Sequence, residues 1–97
     1  MKLTGNTILI TGGTSGIGLE LANQLLTKNN TVIITGRDLT QLNKIKQQSP
    51  NLQIYQSDVS KLIDISSLHD QLAIDFPKLN IIINNAGIMH MISLLLI

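Results

Sequence analysis

One stretch of this sequence stands out for the chemistry its spacing permits. Thr11-Gly12-Gly13-Thr14-Ser15-Gly16-Ile17-Gly18 places four glycines in eight residues, directly after the apolar run Thr7-Ile8-Leu9-Ile10. The residues that follow have helical periodicity. At a strand-to-helix junction the unpaired N–H groups and the helix dipole converge on one spot, where a pyrophosphate can be held. Gly12 permits a tight turn, Gly16 lets a phosphate approach with no Cβ in the way, and Gly18 lets the helix lie close to the sheet. Thr14 and Ser15 add hydroxyl donors. The spacing is G-x-x-x-G-x-G, so it is neither the G-x-G-x-x-G fingerprint nor a P-loop, which needs Lys-Ser/Thr after its last glycine. A purely structural βα turn is the alternative reading, and the concentration of glycines at this junction argues against it.

Other reactive side chains are few. There is no cysteine, which excludes disulfides, thiol nucleophiles and zinc-thiolate sites. Tyr55 is the only tyrosine and falls on a strand candidate, where a half-buried structural role is expected. His69 lies among charged neighbours on a helix candidate and is expected at the surface. His90 and Ser93 lie in a nearly all-apolar tail, Ile88 to Ile97, with no base or metal-ligating partner nearby. Seven Lys/Arg against six Asp/Glu give a net charge of +1, scattered without a basic stripe, and aromatics make up 2%. Nucleic-acid binding therefore has no support. Met1 to Asn6 lacks the apolar run of a signal peptide. Asn84, Asn85 and His90 break the longest apolar tract, whereas a membrane span needs about 20 uninterrupted apolar residues. A soluble, cytoplasmic protein is expected.

The elements that must position the glycine turn follow from the periodicity. Thr7–Thr11, Thr31–Thr35, Leu52–Tyr55 and Ile81–Asn84 are strand candidates. The first, second and fourth are apolar at consecutive positions, as in parallel strands covered on both faces. Between them lie three helix candidates. Gly16 to Lys28 carries Ile17, Leu21 and Leu25, with Ala22 and Leu26 beside them, as one apolar stripe and stops at Asn29-Asn30. Asp38 to Gln47 carries Leu39, Leu42 and Ile45, with Asp38 and Gln41 at capping-box spacing. Ser60 to Asp75 carries Ile65, Leu68 and Leu72 and ends at Phe76-Pro77. The order β-α-β-α-β-α-β predicts an α/β domain with right-handed crossovers. With 97 residues, a single domain is expected.

Thr11 to Gly18 matches T-G-x-x-x-G-x-G, and Asn84-Asn85-Ala86-Gly87 matches N-N-A-G after a fourth strand. By these two motifs the chain resembles the short-chain dehydrogenase/reductase family over Lys2 to Met89. The resemblance implies the front part of a Rossmann-type doubly wound parallel sheet of strand order 3-2-1-4, binding a nicotinamide dinucleotide. At the end of the second strand, NAD-preferring members tend to have an acid where Gly36 stands, and NADP-preferring members have an arginine where Arg37 stands. A guanidinium can pair bidentately with the 2′-phosphate. NADP(H) is therefore expected over NAD(H), the other reading being that Arg37 is a solvated surface charge. Asp38 suits a helix N-cap better than a ribose contact.

The resemblance further implies that Asp58 accepts from the adenine amino group and that the Val59 backbone meets the ring edge. Capping of the next helix by Asp58 is the alternative. Asn85, Ala86 and Gly87 would lie along the ribose. One of Asn84 and Asn85 would tie the fourth strand to the first near Thr11, and the sequence does not say which. Thr14, Ser15, Gly16, Ile17 and Gly18 complete the cofactor-binding set.

Family members transfer hydride between nicotinamide and a carbonyl or alcohol, using a tyrosine with a lysine four residues on. Here the residue four after Tyr55 is Val59. No catalytic residue is expected within 1–97, which reads as a truncated NAD(P)-binding domain with an atypical apolar tail over 88–97. Full-length relatives are expected to form homo-oligomers. The fourth strand, left as an apolar sheet edge, would make this chain prone to association unless the tail folds over it. Two further functions stand beside the oxidoreductase: a non-catalytic nucleotide-binding remnant, and an S-adenosylmethionine-dependent methyltransferase. Gly36-Arg37 argues against the methyltransferase, which would want an acid there.

Overall fold

The computed structural model describes residues 4–14, 16–58 and 61–85, together with the backbone of strand 93–96. Eight elements run in chain order: β1 Thr7–Thr11, α1 Gly16–Leu26, β2 Thr31–Gly36, α2 Leu39–Gln48, β3 Gln53–Gln56, α3 Leu62–Asp75, β4 Ile81–Asn84 and β5 Ser93–Leu96. They build one sheet of order β3-β2-β1-β4-β5. The first four strands are parallel and take the expected order 3-2-1-4. β1, in the middle, pairs Ile8 with Val32 on one side and with Ile81 on the other.

Consecutive apolar residues give each central strand two buried faces, because successive side chains alternate across the sheet. Ile8, Ile10, Val32, Ile34, Ile81 and Ile83 point to one face, where Ala22 of α1 and Leu42 and Ile45 of α2 cover them. Leu9 and Ile33 point to the other, under Leu72 of α3. Two helices on one side and one on the other is the doubly wound arrangement.

The helix ends follow from their capping residues. Asp38 is the N-cap of α2, and its carboxylate accepts from the N–H groups of Thr40 and Gln41 at 2.9 and 3.3 Å. Beyond α1, Asn29 takes a left-handed φ of 59°, and the Asn30 side chain donates to Leu25 O at 2.8 Å, satisfying a terminal carbonyl. Helix α3 starts at Leu62 rather than Ser60. Lys61 N donates to Asp58 O at 2.9 Å, closing a turn that precedes the helix, and Lys61 takes the N-cap position without a side-chain cap bond. Asp58 does not stand at that N-cap.

Two expectations change. The stripe of α1 loses its first member: Ala22 is buried and Leu21, Leu25 and Leu26 pack against the core, while Ile17 is 68% exposed. Small residues at 18 and 22 let the helix come close to the sheet, and Ile17, at its first turn, stands outside the core. The fourth strand is also not the sheet edge. β5 pairs with it antiparallel, Ile81 opposite Leu96 and Asn84 opposite Ser93. Part of the apolar tail thus supplies the strand partner that β4 otherwise lacks.

Candidate functional site

The carboxyl ends of the parallel strands converge on the glycine turn between β1 and α1. Gly12 and Gly16 both have left-handed backbones, with φ of 68° and 59°, a region costly for residues with a Cβ. At Gly16 a Cβ would meet no heavy atom of the described residues beyond its own helix within 4 Å, which leaves room above the start of α1. At Gly18 a Cβ would strike Asn85 Nδ2 and come within 3.2 Å of Gly13 Cα, so a side chain there would displace Asn85 from its place against the turn. At Gly13 a Cβ would lie 2.8 Å from Ile34 Cγ2.

Thr35, fully buried near the end of β2, holds the turn in place. Its Oγ1 accepts from Gly12 N–H at 3.2 Å and its carbonyl accepts from Gly13 N–H at 3.0 Å. From α2, Gln41 Nε2 donates to Thr14 O at 3.3 Å. From the end of β4, Asn85 Nδ2 donates to Gly12 O at 3.0 Å. Gly12 and Gly13 therefore spend their amides on Thr35. The donors left for an anion are those of the first turn of α1, from Gly16 onward, which have no intrahelical carbonyl to meet. Both asparagines tie β4 to β1: Thr11 Oγ1 donates to Asn84 Oδ1 at 3.0 Å, and Asn85 holds the next residue. The sequence left one tie to choose between; the fold uses two.

The described residues of the predicted site fall at one end of the sheet. Thr14 packs its methyl at Gly36, where a Cβ would collide with it. Arg37 is exposed just past β2, and its carbonyl accepts from Gln56 Nε2 at 3.0 Å. Asp58 follows β3, and its N–H donates to the Asp64 carboxylate of α3 at 2.9 Å. A groove of about 460 Å³ runs beside them, lined among others by Arg37, Gln56, Asp58, Lys61 and Asp64. Ile17 stands in solvent at the mouth of the turn. Ser15, Val59, Ala86 and Gly87, along with His90, lie outside the described residues.

Sequence reasoning missed Thr35 and Ser57. Thr35 reads as one more β-branched strand residue, and its role depends on a contact between separate strands. Ser57 is 3% exposed, and its Oγ has no hydrogen-bond partner among the described residues. Tyr55 and His69 fall where the sequence put them. Tyr55 lies on β3, edge-on to Phe76 with ring centroids 6.4 Å apart, and its hydroxyl donates to Asp75 Oδ2 at 2.6 Å. Burial, then the Asp75 carboxylate, push its pKa up to about 12. Hydrogen bonds from Tyr55 and then Gln71 lower that of Asp75. The pair ties β3 to α3, and the phenol holds its proton at neutral pH. His69 is exposed, 3.7 Å from the Asp70 carboxylate. Among the described residues no group of acidic or imidazole side chains could hold a metal ion, and no helix is long and apolar enough to cross a membrane.

Comparison with known proteins agrees with this geometry. The family model described as short chain dehydrogenase matches residues 6–95. The oxidoreductase DltE of Bacillus subtilis is 49% identical over 88 residues, which cover 91% of this chain and 35% of DltE. Short-chain dehydrogenase/reductase 1 of Saponaria officinalis is 39% identical, over 82% of this chain and 29% of its own length. Among solved structures, a short chain dehydrogenase from Bacillus anthracis superposes with a TM-score of 0.78 at 30% identity, over 88% of this chain and 36% of that one. A short chain dehydrogenase/reductase family protein gives 0.76 at 38% identity, over 91% and 36%. The chain thus spans about a third of the length of the relatives it matches.

Proposed function

This chain belongs to the short-chain dehydrogenase family, and from that premise we propose that residues 1–97 form the NADP(H)-binding portion of an oxidoreductase acting on a carbonyl/alcohol pair. The observation that carries the reading is the opening of α1. Gly16 has a left-handed backbone and, among the described residues beyond its own helix, nothing within 4 Å of its missing Cβ, after a strand whose following turn is pinned by Thr35. That cradle fits a pyrophosphate: a phosphate can approach the amides of Gly16, Ile17 and Gly18 along the helix axis, where the dipole favours negative charge.

The other residues take roles around this anchor. Thr14 and Ser15 offer hydroxyls to phosphate oxygens. Arg37, exposed beside Gly36, pairs with the 2′-phosphate. An acid at position 36 would instead have bonded a free 2′-hydroxyl. Asp58, steadied through its N–H by Asp64, accepts from the adenine amino group, and Val59 borders the ring. Asn85, Ala86 and Gly87 line the ribose on the β4 side. When bound, a nicotinamide dinucleotide supplies the hydride donor or acceptor.

The chain's own residues bind and orient without catalysing. Its tyrosine is tied to Asp75, with a pKa pushed up to about 12, and has Val59 rather than lysine four residues on. That observation favours a nucleotide-binding unit without turnover. The methyltransferase reading is disfavoured by the family match. A cytoplasmic location and a tendency to self-associate belong to the same proposal. The cysteine-free sequence suits a reducing compartment, and the apolar edge strand β5 supports the association. Calorimetric titration with NADPH, NADH and S-adenosylmethionine, with NADPH oxidation followed over a panel of carbonyl compounds, tests the reading. Saturable binding of NADPH, weaker binding of NADH and no turnover are expected. Binding of S-adenosylmethionine alone would overturn the reading.

A further inference from the structure

We infer that the Ser57 hydroxyl is an additional anchor for the adenosine end of the dinucleotide, an inference that rests on the cofactor reading above. A buried polar atom without a partner is uncommon in a folded protein and points to a ligand or water that completes it. Ser57 Oγ is such an atom.

Its place in the fold says what completes it. Gly36 pairs with Gln56 at the last rung of β2 and β3. Ser57 is the next residue, and its N–H donates to Gly36 O at 2.9 Å. Gly36 touches Thr14 of the glycine turn, and Gln56 holds the Arg37 carbonyl. Asp58 comes directly after. Ser57 therefore occupies the corner between Gly36 and Asp58. With β1 between β2 and β4, that corner lies on the far side of the glycine turn from Asn84 and Asn85. A dinucleotide anchored by its pyrophosphate at α1 has one end on each side of β1. The end on the Arg37 and Asp58 side is the adenosine, and Ser57 holds the orphaned hydroxyl on that same side.

A hydroxyl that is orphaned in the free protein and bonded in the complex leaves a thermodynamic signature. Removing it should not destabilise the free protein, because no bond is lost and an unsatisfied polar atom disappears. It should weaken binding by about 2- to 12-fold, the worth of one ordinary hydrogen bond. The loss should be equal for NADPH and NADH, since the 2′-phosphate is not involved.

The experiment is calorimetry and thermal melting on the 97-residue protein and on S57A and S57C, with NADPH, NADH and nicotinamide mononucleotide as probes. The expected result is a melting temperature for free S57A equal to or above that of the parent. Both dinucleotides should bind more weakly by the same factor in S57A and in S57C, which keeps the volume. Any binding of nicotinamide mononucleotide should be unchanged. Unaltered dinucleotide affinity in both variants, with binding intact in the parent, would overturn the Ser57 inference alone. A lowered melting temperature in free S57A would also overturn it, since the hydroxyl would then have had a structural partner. Failure of the parent to bind either dinucleotide would overturn the cofactor reading itself.

Discussion

The two ends of the sheet treat their polar groups in opposite ways. At the amino end, asparagines close a network. Asn6 N–H donates to Asn30 Oδ1 at 3.0 Å, Thr7 N–H to Asn80 Oδ1 at 2.9 Å, and Asn80 Nδ2 to Asn6 Oδ1 at 2.9 Å. Asn30 reaches on to Leu25 O, and backbone bonds Thr31 N to Asn6 O and Asn80 N to Thr7 O complete the lacing of three strands. At the carboxyl end, Thr35, Gln41 and Asn85 fix the glycine turn but leave the start of α1 open and Ser57 Oγ unbonded. One end satisfies its polar groups internally and holds the strands together. The other is just as firmly placed, yet keeps donors in reserve, which suits a surface that receives a ligand.

Breaking the amino end should cost stability and nothing else. Asn30→Ala removes the acceptor for Asn6 N–H and the donor to Leu25 O, both near the core. A buried group left unsatisfied costs about 1–3 kcal/mol. Each kcal/mol lowers Tm by about 4–8 °C in a domain of this size. Thermal melting should show that fall, while dinucleotide affinity measured well below Tm stays at the parent value.

At the carboxyl end the pattern should reverse. Arg37→Ala removes an exposed side chain and keeps the backbone carbonyl that Gln56 holds, so Tm should hold. Affinity for NADPH should drop about 10- to 100-fold, the worth of a charge-assisted bond, with NADH unchanged. Equal losses for both coenzymes would mean that Arg37 does not read the 2′-phosphate.

A smaller effect belongs to neither end. The Tyr55 phenol has its pKa raised from 10.0 to about 12 in the folded chain. The folded state holds the proton longer than the unfolded one, so this stabilisation is complete below pH 10 and is lost as pH rises toward 12. The lowered pKa of Asp75 stabilises at pH above the unfolded carboxyl value of 3.8 and ceases as pH falls through the folded value. Tyr55→Phe should flatten the alkaline loss of Tm and leave coenzyme binding untouched.

The contrast between the ends was only partly legible in the sequence. Strands β1, β2 and β4 were readable because their apolar residues are consecutive, a pattern that both-sided burial imposes. Asp38 was readable as a cap because its bonds reach only two and three residues ahead. Gly12, Gly16 and Gly18 were readable because each answers a local backbone or packing demand. Thr35, Ser57 and the Asn6–Asn30–Asn80 network were not, since their partners lie 23 to 74 residues away or are missing altogether. Ile17 misled because it shares the spacing of Leu21 and Leu25, which pack against the core, yet stands at the first turn of the helix and outside the core. The antiparallel pairing of β5 carried no signal beyond an apolar run, since strand direction is set by the path of the chain.

Amide chemical shifts of isotopically labelled protein, followed by NMR while NADPH is added, test the division between the two ends most directly. The expected result is saturable movement of the Gly16, Ile17, Gly18 and Arg37 signals, with those of Asn6, Thr7 and Asn30 unmoved. Movement centred on Asn6, Thr7 and Asn30, or none at the opening of α1, would contradict it.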